Sequence, residues 1–223
     1  HFLFRSTYDE VVRDGLSLVL HSSNESFFVE SLQAYRDSSD IGICDWVIVA
    51  VKATANSKLG EMLAPLVDEN TGLLTLQNGM GNVERLVELF GDRRTIVGGL
   101  CFTCINRTSP TAVESILPGY VQFGQVGQSL TNKAREIMGA FAEAGVDARE
   151  AASLDEALWR KLCWNIPFNG LSVAAGGITT DKILADPELA RRARYLMMEL
   201  QQAATAYGVD IEDRFLDRQF TLT

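Results

Sequence analysis

The sequence predicts an α/β domain built on a parallel sheet, followed by an all-helical domain. Three observations carry this prediction. The segment Asp45-Trp46-Val47-Ile48-Val49-Ala50-Val51-Lys52 is continuously apolar between its ends, as in a parallel strand covered on both faces. Strand-like and helix-like segments alternate through the earlier part of the chain, which is the signature of βαβ units. From Leu154 the pattern turns almost wholly helical as far as Arg214. That change places a domain boundary near Ala152, giving domains 1–152 and 153–223.

Taken in order, His1-Phe2-Leu3-Phe4 is a short apolar run. Ser6 is a candidate cap for a helix through Tyr8–Val12, ended by Gly15. Leu16 to Leu20 and Phe27 to Val29 read as strand pieces, and Asp45 to Lys52 is the clearest strand. Ser57 to Val67 reads as a helix interrupted late by Pro65. Gly72 to Leu76 is a short buried strand, Val83 to Phe90 a helix stopped by Gly91, and Thr95 to Thr103 a strand again. A more antiparallel piece follows, Thr111 to Ile116 and Tyr120 to Phe123, with Pro118-Gly119 as the turn between them. Ala134 to Ala144 is helical.

With 223 residues the chain holds one large domain or two modest ones. Its 47% hydrophobic content supports a sizeable core. A net charge of −9 and a pI near 4.8 argue against nucleic acid as the main partner, but leave room for an anionic small molecule at a local basic site. No apolar run approaches the roughly 20 residues of a membrane span, and no leader is visible. The expectation is a cytoplasmic protein with no membrane partner. Cys101 and Cys104 form a C-x-x-C, yet they lie in a strand-like segment with no second pair, and the only histidines are His1 and His21. Structural, reduced thiols and no metal site are therefore expected.

Lys161, Asn165 and Asn169 are spaced four apart in an otherwise apolar segment, so on a helix they share one face. A buried polar group without a partner costs about 1–3 kcal/mol. A buried stripe of one ammonium and two carboxamides thus needs either helix–helix hydrogen bonds or a ligand with carboxylate, hydroxyl or ketone oxygens. Pro167 removes a backbone donor within this helix and is expected to kink it, opening space beside the amides.

Ligands of doubly wound sheets bind at the carboxyl ends of the strands. Three residues occupy such ends: Arg5, Lys52 and Asn78. An acid at the end of the second strand of a dinucleotide fold selects NAD, whereas a cation accommodates the 2′-phosphate of NADP. Here Phe4-Arg5-Ser6-Thr7 offers no acid until Asp9; an ordinary surface arginine is the competing reading. Lys52 is placed for a phosphate or ribose, or is simply a solvated strand-end lysine. Asn78-Gly79-Met80-Gly81-Asn82 reads as a glycine-rich turn feeding the Val83 helix, since its flanks do not alternate as a hairpin's would. The G-x-G-x-x-G fingerprint is missing and is expected before His1.

These stretches resemble the ketopantoate reductase (2-dehydropantoate 2-reductase) family. The resemblance is carried in order by His1-Phe-Leu-Phe-Arg5-Ser, Val49-Ala-Val-Lys52, Leu76-Gln-Asn-Gly-Met-Gly-Asn82, Pro118-Gly-Tyr, and Leu158-Trp-Arg-Lys161 with Asn165 and Asn169. It implies a Rossmann-like NADP-binding domain, a helical substrate and dimerisation domain, and an active site between the two. Arg5 would contact the adenosine 2′-phosphate, Lys52 would lie along the cofactor, and Asn78 would sit near nicotinamide and substrate. Lys161 would be the catalytic acid, with Asn165 and Asn169 holding substrate oxygens. The implied reaction is NADPH-dependent reduction of ketopantoate to pantoate, on the way to pantothenate and coenzyme A.

The family's substrate-site serine and glutamate belong to a C-terminal portion not found in these residues, and Asp210, Glu212 and Asp213 do not match that glutamate. A polypeptide of these residues alone is expected to be impaired. Tyr195, Leu196 and Met197 are candidates for a homodimer contact, with core packing as the competing use. The alternative functions are reduction of a related 2-oxo acid or imine, and non-catalytic dinucleotide sensing.

Overall fold

The strand β6 (Gly72–Thr75) is buried at every position, and its neighbours explain why. In the computed structural model, which describes residues 1–223, it lies between β5 (Trp46–Val49) and β7 (Ile96–Ser109), parallel to both. A strand paired on both edges and covered on both faces has nowhere to place a polar side chain except at its ends. Gly72 is required at its start, because a Cβ there would stand 2.6 Å from the Trp46 ring.

The chain divides into two units, His1–Ala151 and Ala152–Thr223. The first begins with β1 (Phe2–Leu3), α1 (Tyr8–Asp14), β2 (Leu16–Leu20), β3 (Glu25–Val29) and β4 (Ala34–Tyr35). After β5 come a 3-10 turn at Ala53–Lys58, α2 (Leu59–Leu63) and a second 3-10 turn at Ala64–Leu66. Then follow β6, α3 (Asn82–Phe90), β7, β8 (Ala112–Gly124), α4 (Asn132–Glu143) and β9 (Asp147–Glu150). The main sheet has the order β3-β2-β8-β7-β6-β5, with β9 parallel to the later part of β8; β1 and β4 form a separate parallel pair. Most pairings are parallel, and the antiparallel ones are β2–β3 and β7–β8.

One face of this sheet carries a core of Leu74, Val97, Val121 and Phe123, closed by Leu130, Ala134 and Ile137 at and within α4. Phe123 meets Phe141 edge-on at 5.2 Å between ring centroids. Thr131 caps α4 by accepting from the Ala134 N–H.

Several sequence expectations need correction here. The helix expected over Ser57–Val67 is one short α-helix between 3-10 turns, because Pro65 lacks the donor needed to extend it. The turn expected at Pro118-Gly119 lies inside β8, which runs unbroken against β7; the hairpin turn falls instead between Ser109 and Ala112. The ladder is irregular opposite that point, with register shifts on either side of Cys104, and such irregularities accommodate a proline in a strand. The cap of α1 is Thr7 rather than Ser6.

The second unit contains α5 (Leu154–Ala174), α6 (Thr180–Ala185), α7 (Pro187–Ala206) and α8 (Asp213–Leu222). Its core joins Trp159, Cys163, Phe168 and Leu171 of α5 to Ile183, Ala193, Met197 and Leu216. Ser153 caps α5 and Asp186 caps α7, the latter accepting from two backbone N–H groups. Pro167 is buried within α5 and does not end it. No helix is long and apolar enough to cross a membrane.

Candidate functional site

Parallel pairing of β5 with β6 sets Val49 opposite Thr75. Lys52 and Asn78 each follow three residues later, so the pairing delivers both to the same end of the sheet. Both are exposed there. Lys52 precedes the Ala53–Lys58 turn in extended backbone, and Asn78 opens the loop into α3.

Gly79 and Gly81 of that loop have φ of 98° and 81°, in the left-handed region that favours glycine. A Cβ on either would meet nothing within 4 Å. Backbone bare of side chains beside an exposed lysine and carboxamide suits close approach of a ligand's phosphate or ribose. Arg5 follows β1 in the smaller sheet and is also exposed. It belongs to the same unit as Lys52 and Asn78 but is carried by a different sheet.

Sequence reasoning missed the side chains beneath this loop. Thr75 Oγ1 donates to Gln77 Oε1 at 3.1 Å. Gln77 Nε2 donates to the Val51 carbonyl at 2.9 Å and to Asn56 Oδ1 at 2.8 Å. Asn56 Nδ2 donates to Asn82 Oδ1 at 2.9 Å. Asn82 Nδ2 donates to the carbonyls of Asn78 at 3.2 Å and Gly79 at 3.4 Å. Gln77 and Asn82 are buried. The signal available was Gln77 itself, a polar residue at the end of a fully buried strand, where it must find partners.

In the helical unit, α5 does carry Lys161, Asn165 and Asn169 four apart. The expectation that they form a buried stripe is corrected: Lys161 and Asn165 are half-buried and Asn169 is exposed. The buried face is the one bearing Trp159, Cys163, Phe168 and Leu171. Side-chain hydrogen bonds from α5 to its surroundings within the unit include those of Trp164, to Thr223 Oγ1 at 2.8 Å, and Ser172, to the Ile178 carbonyl at 2.5 Å. Arg160, next to Lys161, is committed elsewhere: it pairs with Glu156 at 2.6 Å and lies over the Phe215 ring.

Of the residues proposed for the homodimer contact, Met197 is fully buried in the helical core, Leu196 packs against that core, and Tyr195 is exposed. Cys44, Cys104 and Cys163 are free thiols, and no cluster of His, Cys, Asp or Glu is arranged to hold a metal ion.

Comparison with known proteins bears on the fold and the family. The family model described as ketopantoate reductase PanE/ApbA matches residues 1–128, and its C-terminal counterpart matches residues 153–222. A 2-dehydropantoate 2-reductase of a Nostoc species is 33% identical over all of this chain and 70% of its own length. The crystal structure of a 2-dehydropantoate 2-reductase from Geobacter metallireducens superposes with a TM-score of 0.93 at 37% identity, covering 100% of this chain and 73% of that one. A D-mandelate dehydrogenase, solved as a ternary structure with NADH and anilino(oxo)acetate, shares the fold at a TM-score of 0.85 and 16% identity, over 96% of this chain and 68% of that one. The class so defined is a dinucleotide-dependent oxidoreductase. The chain belongs to the ketopantoate reductase family.

Proposed function

We propose that the protein reduces a 2-oxo acid, ketopantoate foremost, with NADPH as the reductant and Lys161 as the proton donor. The observation that carries this reading is the half-open face of α5, where an ammonium stands in line with two carboxamides at four-residue spacing. When bound, the dinucleotide would supply the hydride that reduces the ketone carbon. Arg5 would pair with the 2′-phosphate that distinguishes NADPH from NADH. Lys52 and the Asn78 loop would hold the phosphate, ribose and nicotinamide portions. Negative charge develops on the ketone oxygen as it is reduced; the Lys161 ammonium stabilises that charge and then gives up a proton to it. Asn165 and Asn169 both donate and accept, which suits substrate hydroxyl and carboxylate groups.

The direct test is NADPH oxidation by the purified protein with ketopantoate, beside a panel of other branched 2-oxo acids and imines. No turnover with any of them, while NADPH still binds, would favour the sensor alternative. Lys161→Ala is expected to lower kcat by about 10²–10⁴-fold while NADPH affinity changes little. Comparable losses in both would remove the acid role. Arg5→Ala deletes a charge-assisted contact and is expected to weaken NADPH by about tenfold to hundredfold, leaving NADH nearly unchanged. Equal weakening of the two cofactors would show that Arg5 does not read the phosphate.

A further inference from the structure

The amides beneath the Asn78 loop form a chain with one direction. Each accepts with its oxygen and donates with its nitrogen, from the Thr75 hydroxyl through Gln77, Asn56 and Asn82 to the carbonyls of Asn78 and Gly79. The chain also ties down the other side of the site, because Gln77 holds the Val51 carbonyl just before Lys52 and Asn56 lies in the turn just after it. Asn82 opens α3, yet it does not cap that helix. A capping side chain accepts from backbone N–H groups, whereas this one donates backward to carbonyls. The loop it holds contains two glycines in left-handed backbone, which by themselves leave it conformationally free.

We infer that Asn56, Gln77 and Asn82 are positioning residues. Their directional amide chain fixes the Asn78 loop relative to the Lys52 turn, and so sets the geometry of the dinucleotide side of the site. The inference rests on the roles proposed above for Asn78 and Lys52. It separates from a merely structural role because the last link can be cut by a single-group change and its effect read locally. Asn82→Asp is nearly isosteric. Its carboxylate still accepts from Asn56 and places negative charge in the first turn of α3, where the helix dipole favours it. It cannot donate to the Asn78 and Gly79 carbonyls.

The experiment compares wild type, Asn82→Asp and Asn56→Asp by thermal melting, by amide hydrogen exchange of the segment 77–83, and by NADPH oxidation with ketopantoate. Asn82→Asp is expected to melt below the wild-type temperature, because its buried carboxylate faces two carbonyls, to exchange faster in that segment than the global loss explains, and to lose about tenfold to hundredfold in kcat with little change in the KM for NADPH. Asn56→Asp touches both sides and is expected to worsen kcat and KM together. Wild-type exchange and kinetics in Asn82→Asp would overturn the inference. A kinetic loss that merely tracks a lowered melting temperature, with no local change in exchange, would overturn it too. If wild type itself fails to oxidise NADPH with ketopantoate, the proposed function falls; exchange in Asn82→Asp still decides whether the chain fixes the loop.

Discussion

Cys163 shows how little a reactive residue type says before its surroundings are known. It is fully buried in the helical core, and that burial pushes its thiol up to about 11, against a smaller opposing effect from Arg160. The neutral thiol is favoured in the folded state. Its contribution to stability is therefore complete below the unfolded value of about 8.5 and is lost as pH rises through that of the folded protein. Urea midpoints should fall between pH 8.5 and 11 in wild type, and the fall should be shallower in Cys163→Ala. A maleimide should label Cys104, which is exposed, in the native protein, and Cys163 only after unfolding. The spacing of Lys161, Asn165 and Asn169 was legible in the sequence because four-residue periodicity is a property of the helix itself. Their exposure was not legible, because an apolar segment does not say which of its faces meets the core. Of the Gln77–Asn56–Asn82 chain only Gln77 gave a signal, since the chain joins two loops brought together by strand pairing.

At the scale of elements, the parallel strands and the long helices could be read from hydropathy, whereas the β7–β8 hairpin and β9 could not. Pro118-Gly119 carries the residue signature of a turn, yet the antiparallel ladder absorbs it inside β8. Close packing there has a measurable consequence: a Cβ on Gly119 would lie 2.6 Å from the Phe102 carbonyl oxygen, a backbone atom that cannot swing aside. Gly119→Ala is expected to cost about 1–3 kcal/mol in chemical denaturation. β9 escaped notice because Asp147-Ala148-Arg149-Glu150 has none of the β-branched or aromatic residues that mark a strand. Its charges are instead used across neighbouring elements. Arg149 lies 3.9 Å over the Tyr120 ring, and Glu150, held below the usual carboxylate range chiefly by its bond with Arg135, ties β9 to α4. Among helix starts, Asp186→Ala removes an acceptor for two N–H groups of α7 and should lower stability by about 1 kcal/mol.

At the scale of the whole molecule, the two units have separate cores. Every member of the helical core cluster lies between Trp159 and Phe220, within the second unit. Residues 152–223, produced alone, are expected to give a helical far-UV spectrum and a cooperative thermal transition; a coil spectrum would show that this core does not suffice. The sheet unit behaves differently, because its edge is assembled from distant parts of the chain. Ser17 on β2 bonds to Thr111, 94 residues away, while β3 beyond it presents Phe27, Phe28 and Val29 to solvent. During synthesis at about 5–20 residues per second, this β2–β3 ribbon leaves the ribosome some 5–20 seconds before the strand that completes it. For that interval it is a bare, sticky ribbon without a third strand, and the nascent chain has to keep it from pairing with its neighbours on the same message.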